Sequence, residues 1–186
     1  MVALSPGAGL KYNPRDALRL ILTDDDGIVV RDSVIDPIVD RLGSTLEQTF
    51  GHPAFRAGQE DLVRAVLAGR DVLAVMPTGS GKSLGFQLPA LLLRGTTLVV
   101  SPLISLMKDQ VDELNRRGIR AAALHSMLAG DVRRDTLAAA RRGELRLLYV
   151  APERFASDGF LRVLRELSVA RFVVLSAPGN PARGWR

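Results

Sequence analysis

Cysteine is missing from all 186 residues and histidine occurs twice, at His52 and His125. The first absence excludes disulfides and cysteine-zinc sites, and the second leaves too few imidazoles for a histidine-rich metal centre. No apolar run reaches the length of a membrane span before charge or glycine interrupts it. Nor does a basic segment lead into an apolar signal core at the N-terminus. The chain is therefore expected to be cytoplasmic, or nucleoid-associated in a bacterium, with no membrane partner. Acidic residues are the minority charge, 20 against 25 Lys and Arg, which gives a formal net charge of +5 and a sequence pI of about 10.4. That balance fits a polyanionic partner without demonstrating one. Asp24-Asp25-Asp26-Gly27 has the look of a calcium loop, but aligning Gly27 to that loop's glycine puts Leu22 and Ser33 where the end carboxylates belong. An Asp-Gly turn between Ile21 and the Ile28-Val29-Val30 run is the reading preferred here.

What is present is enough for one buried core: 47% of the residues are apolar. Residues 1–43 carry scattered Pro and Gly and read as a poorly specified leader. From Ser44, paired with Glu47 as a capping box, the pattern becomes regular. Helical spacing over Gln59 to Leu67 ends at Gly69, and Asp71 to Val75 reads as the first buried strand. Further strands are expected at Thr96 to Val100, Arg120 to Leu124, Leu145 to Val150 and Arg171 to Leu175. Helices are expected at Leu84 to Leu93, Leu103 to Arg116, Asp131 to Arg142 and Gly159 to Leu167. This alternation predicts an α/β fold over 44–175, a mainly parallel doubly wound sheet with helices on both faces. A tail at 176–186, rich in Pro, Gly and Arg, is expected to be disordered.

Between the first strand and the following helix lies Met76-Pro77-Thr78-Gly79-Ser80-Gly81-Lys82-Ser83. Glycines there let the backbone fold around phosphates, N–H groups at the helix start face the anion, Lys82 adds a positive charge, and Ser83 can hold Mg²⁺. The strict pattern has glycine where Met76 stands. Nucleotide binding is the leading expectation, with ATP and Mg²⁺ as cofactors and Thr78, Gly79, Ser80, Gly81, Lys82 and Ser83 as the candidate site. Lys82 is the one candidate catalytic residue, stabilising phosphate charge. In open α/β sheets ligands lie beyond the carboxyl ends of the strands, so the segments Ser101 to Gln110, His125-Ser126 and Ala151 to Arg154 are further candidates for holding a nucleic-acid backbone. Upstream, the amide of Gln59 could both donate to and accept from an adenine edge.

Taken together these strings resemble the RecQ-type DNA helicases of helicase superfamily 2, over about residues 46 to 175. Phe50 to Glu60 is similar to the family's motif 0, Met76 to Ser83 to motif I, and Val99 to Leu114 to motif Ia. Leu145 to Phe155 is similar to its segment ending in Pro-Glu-Arg. The resemblance implies a RecA-like lobe, Arg56 and Gln59 as adenine contacts, and Ser101, Ser105, Lys108 and Gln110 as contacts to single-stranded or partly duplex DNA. It also implies ATP-driven 3′-to-5′ unwinding in recombination and repair.

The same family should continue after the strand Arg171 to Leu175 with Asp-Glu-x-His. Here the sequence reads Ser176-Ala177-Pro178-Gly179-Asn180, and no Asp or Glu follows Glu166. Neither that acidic pair nor a second motor lobe lies within these residues, so a truncated or frame-shifted lobe, incomplete at its C-terminus, is expected to bind ATP and DNA without turnover. A non-catalytic regulatory module and a non-functional gene product are the alternative expectations.

Overall fold

A computed structural model describes residues 2–4, 41–75 and 79–175, the first three through their backbone alone. Six strands form one sheet: β1 (Val2–Leu4), β2 (Val72–Leu73), β3 (Thr96–Val100), β4 (Ala121–Leu124), β5 (Leu147–Val150) and β6 (Val169–Val174). Their order across the sheet is β2-β1-β6-β3-β5-β4. The β6, β3, β5 and β4 block is parallel throughout, whereas β1 runs antiparallel to both of its neighbours. Helices connect the strands: α1 (Arg41–Phe50), α2 (Gln59–Leu67), α3 (Leu84–Leu92), α4 (Ile104–Arg116), α5 (Gly130–Arg141) and α6 (Asp158–Glu166), with a 3₁₀ turn at Pro152–Ala156.

Period-2 alternation in the central strands sorts the interior into two cores, one on each face. Val99, Leu147, Tyr149 and Val173 face the cluster built by α1 to α4, which includes Leu42, Leu46, Val63, Phe86 and Met107. Leu98, Leu148 and Val150 face the other way, onto Ala140 of α5 and Phe160 of α6. β3 and β5 are buried along their whole length, as strands covered on both faces must be. The doubly wound expectation holds. α3 is buried all round over its first two turns because it lies between the sheet and the α1/α2 layer. No helix among the described residues is long and apolar enough to cross a membrane.

Three local expectations are corrected. Ser44 does not cap a helix. It lies inside α1, where its hydroxyl donates to the Arg41 carbonyl at 3.1 Å, and Leu42, two residues before the expected start, is a core residue at 1% exposure. The segment Asp71 to Val75 is not a buried strand, since only Val72–Leu73 pairs, both half-buried, and Val75 is 83% exposed. Its place at the margin of the described sheet, with β1 as its sole neighbour among the described strands, explains this. Finally, the region read as a leader supplies β1, which inserts between β2 and β6. The Asp24 to Gly27 turn, Thr78 and the 176–186 tail lie outside the described residues.

Candidate functional site

Parallel register brings the strand ends to one rim. Ser101 donates its N–H to Val150, Ala151 to Leu124, and Leu175 to Val100, so the residues that follow β3, β5 and β6 are aligned side by side. The phosphate-loop segment continues into α3 through Leu84 N–H to Gly81, Gly85 N–H to Lys82 and Gln87 N–H to Ser83. Those bonds set Gly81, Lys82 and Ser83 ahead of the helix, at its positive end.

Two upstream residues set the orientation of this loop. The Arg56 guanidinium donates to the Gly79 carbonyl at 2.9 Å, and the Gln59 amide nitrogen donates to the Ser80 and Gly81 carbonyls at 3.0 and 3.3 Å. The Gln59 amide oxygen accepts the Arg56 backbone N–H at 2.8 Å, which closes the clamp. In a planar trans peptide the carbonyl and the next N–H point in opposite directions. Holding the carbonyls of residues 79, 80 and 81 on the α2 side therefore turns the N–H groups of Ser80, Gly81 and Lys82 to the other side, where an anion can collect them. Gly79 and Gly81 reach this shape with φ of 80° and 79°, in the left-handed region that side chains disfavour. Gln59 is 4% exposed, and in this arrangement its amide serves the loop. Sequence reasoning found Arg56 and Gln59 but not this task, because it depends on contacts 21 to 23 residues apart.

The loop also fits a magnesium-bound triphosphate in its donor set. A Ser83 hydroxyl at the head of α3, beside backbone N–H groups and Lys82, supplies hard oxygen for the metal and positive charge for the phosphates.

The candidate nucleic-acid residues divide. Ser105 and Lys108 are exposed on α4, three positions apart and so on one face of the helix. Ser101 is fully buried, and its hydroxyl accepts the Leu103 N–H at 3.3 Å, fixing the entry to α4. Gln110 is half-buried; its carbonyl oxygen accepts from Gln87 of α3 at 2.7 Å, and the same Gln87 nitrogen lies 3.4 Å from the Tyr149 hydroxyl. Burial pushes that phenol up to about 12, with the Gln87 contact opposing the shift. At the same rim Leu103 and Met127 are apolar residues exposed at 41% and 78%. His125 and Arg154 each hold a buried nitrogen, Nδ1 and Nε, without a hydrogen-bond partner among the described residues.

The family model described as DEAD/DEAH box helicase matches residues 56–176. The chain belongs to the DEAD/DEAH box helicase family. Its relatives include the ATP-dependent DNA helicase RecQ of Haemophilus influenzae, 47% identical over 121 residues, covering 65% of this chain and 20% of that one. The probable ATP-dependent DNA helicase RecS of Bacillus subtilis is 44% identical over 135 residues, covering 72% of this chain and 27% of that one. These helicase relatives bear out the RecQ-type resemblance, and the chain spans only about a fifth to a quarter of their lengths. Among solved structures, a hypothetical ATP-dependent RNA helicase from Sulfolobus tokodaii matches with a TM-score of 0.55 at 18% identity, covering 75% of this chain and 40% of that one. At that identity the likeness concerns the fold, a helicase lobe of the RecA kind.

Proposed function

We propose that this helicase domain grips Mg-ATP and single-stranded DNA but does not turn ATP over by itself. The observation that supports the reading is the clamped loop: Arg56 and Gln59 hold the three successive carbonyls of residues 79, 80 and 81, immediately before Lys82 and the head of α3. Gly79, Ser80, Gly81 and Lys82 would take the phosphates, Thr78 and Ser83 would flank them, and Ser83 would reach Mg²⁺, which supplies charge neutralisation when bound. Adenine contact by Arg56 and Gln59 would require them to exchange their loop bonds for the base. DNA would lie along the exposed edge of α4 through Ser105 and Lys108, with Ser101 and Gln110 shaping that edge from beneath.

Inactivity rests on the residues directly after β6, Leu175-Ser176-Ala177-Pro178-Gly179, which hold no carboxylate where the RecQ-type pattern has Asp-Glu-x-His. A missing general base lowers a rate by about 10²–10⁴. Unwinding in the 3′-to-5′ direction, and any role in recombination and repair, would then belong to a larger assembly that contributes the acidic pair. A non-catalytic module that uses nucleotide to modulate DNA binding draws support from the same missing carboxylates.

The test is fluorescent ATP-analogue binding together with ATP hydrolysis, each with and without single-stranded DNA, for the chain and for Lys82→Ala. Saturable Mg²⁺-dependent binding that weakens roughly tenfold in the variant is expected, since a charge-assisted contact is lost. Hydrolysis is expected to stay at background in both. DNA-stimulated turnover that vanishes with Lys82→Ala would overturn the inactivity, and no analogue binding would overturn the nucleotide site.

A further inference from the structure

The opposite rim carries a second concentration of charge, about 13 Å away across the four residues of β4. A cavity of about 600 Å³ opens there between the ends of α1 and α3 and the turns that lead into β4 and β5. Arg120 and Arg146 stand immediately before those strands, and the Arg146 N–H donates to the Arg120 carbonyl at 2.8 Å. The ladder begins one residue later, with Ala121 opposite Leu147, so the backbones of the two arginines lie side by side at the strand starts, and both residues line the cavity.

Like charges at facing positions are unfavourable unless something compensates them. Among the described residues the compensation is thin. Arg120 reaches Glu144 at 3.3 Å, but Glu144 is already held by Arg142 at 2.6 and 3.2 Å. Arg146 places one N–H on the Leu93 carbonyl at 3.4 Å. Each guanidinium has five N–H donors, and the bonds to Glu144 and Leu93 use one on each, so the pair keeps donor capacity for an anion entering the cavity. The third arginine of the cavity, Arg117, is committed elsewhere: it donates to Thr49 and Glu113 and stacks over the Phe50 ring at 5.7 Å, forming a wall. Leu91 and Ile119 contribute apolar surface.

We propose that this cavity binds an acidic segment of a partner protein, with a carboxylate held between Arg120 and Arg146 and an adjoining apolar side chain against Leu91 and Ile119. Charge complementarity selects the occupant, and the lining favours peptide over nucleic acid. No aromatic ring lines the cavity to stack a base, and the Glu144 carboxylate in its wall opposes a continuous phosphate track. The site does not depend on the nucleotide reading.

Fluorescence anisotropy with a short fluorescein-labelled peptide alternating aspartate and leucine tests it, beside a control peptide with lysine in place of aspartate. Saturable binding of the acidic peptide alone is expected. The double variant Arg120→Glu with Arg146→Glu should weaken it at least about tenfold, a loss of charge-assisted bonding. The milder pair Arg120→Gln with Arg146→Gln should give an intermediate loss, with thermal melts confirming that it remains folded. ATP-analogue affinity should be unchanged in both. Equal binding of the two peptides, or unaltered affinity in the folded glutamine variant, would overturn the proposal. So would displacement of the peptide by oligothymidylate through the same arginines, which would make nucleic acid the occupant.

Discussion

A methyl group added at Gly81 would land on the amide nitrogen of Gln59 while the backbone stayed at a φ of 79°. Gln59 cannot swing aside without giving up its bonds to the Ser80 and Gly81 carbonyls. Gly81→Ala is therefore expected to lower stability by about 1–2 kcal/mol from the left-handed conformation alone, and to weaken ATP-analogue binding as the loop re-forms. Gly79, at a similar φ with open space around it, should show the conformational penalty without the collision. Gln59→Glu separates the donors from the acceptor in the clamp. It keeps the size of the side chain and can still accept the Arg56 N–H, but has nothing to donate to the loop carbonyls. A loss of about 0.5–1.5 kcal/mol, read by chemical denaturation, is expected from the lost part-buried hydrogen bonds. Gln59 was legible as an amide able to face adenine, and Arg56 through the RecQ-type resemblance; their contacts to the loop carbonyls were not legible, because no local pattern encodes which carbonyls a long side chain will meet.

Two elements depend on partners remote in sequence. Among the described strands β2 pairs with β1 alone, so the segment that leads into the phosphate loop joins the sheet through three N-terminal residues. Deleting residues 1–4 should accelerate amide exchange across residues 71–83 and weaken nucleotide binding. Peptides spanning β3 and β5, each paired on both sides, should remain protected; equal loss of protection throughout would contradict this account. At the end of α2, Arg171 of β6 donates through two nitrogens to the Val66 carbonyl at 3.0 and 2.9 Å. It satisfies a helix-terminal acceptor and places a cation at the negative end of the dipole, although partial burial lowers its pKa. Arg171→Ala is expected to cost about 1–2 kcal/mol in thermal or chemical denaturation, and lysine should recover only part of that because it lacks the fork.

For the molecule as a whole, the cluster between the sheet and α1 to α4 closes around Tyr149, fully buried, edge-on to Phe86 at 6.5 Å. Its folded pKa, up to about 12, lies above the ordinary phenol value of 10.0. The unfolded chain thus releases this proton first as pH rises, so the contribution to stability is complete below pH 10 and is lost progressively towards pH 12. A fall of roughly 2–3 kcal/mol follows from two units of difference. Tyr149→Phe should flatten that alkaline decline in denaturation midpoints measured between pH 9 and 12; an unchanged slope would place its cause elsewhere.

Most of the helices and interior strands could be read locally. Thr96–Val100 and Gln59–Leu67 have the bounds their β-branched run and helical spacing indicate, and α4 differs from expectation by one residue at its start. Periodicity, glycine stops and the loop motif depend on neighbours within a few positions, so the amino-acid order alone determined the alternating α/β plan, the RecQ-like character and the place of the glycine-rich loop before α3. The tertiary structure decided the rest: that Val2–Leu4 joins β2 to the sheet, that Gln59 faces loop carbonyls, and that Arg120 and Arg146 emerge side by side. Each of these is a meeting of residues far apart in the chain, and only the packed sheet brings them within hydrogen-bonding or charge range.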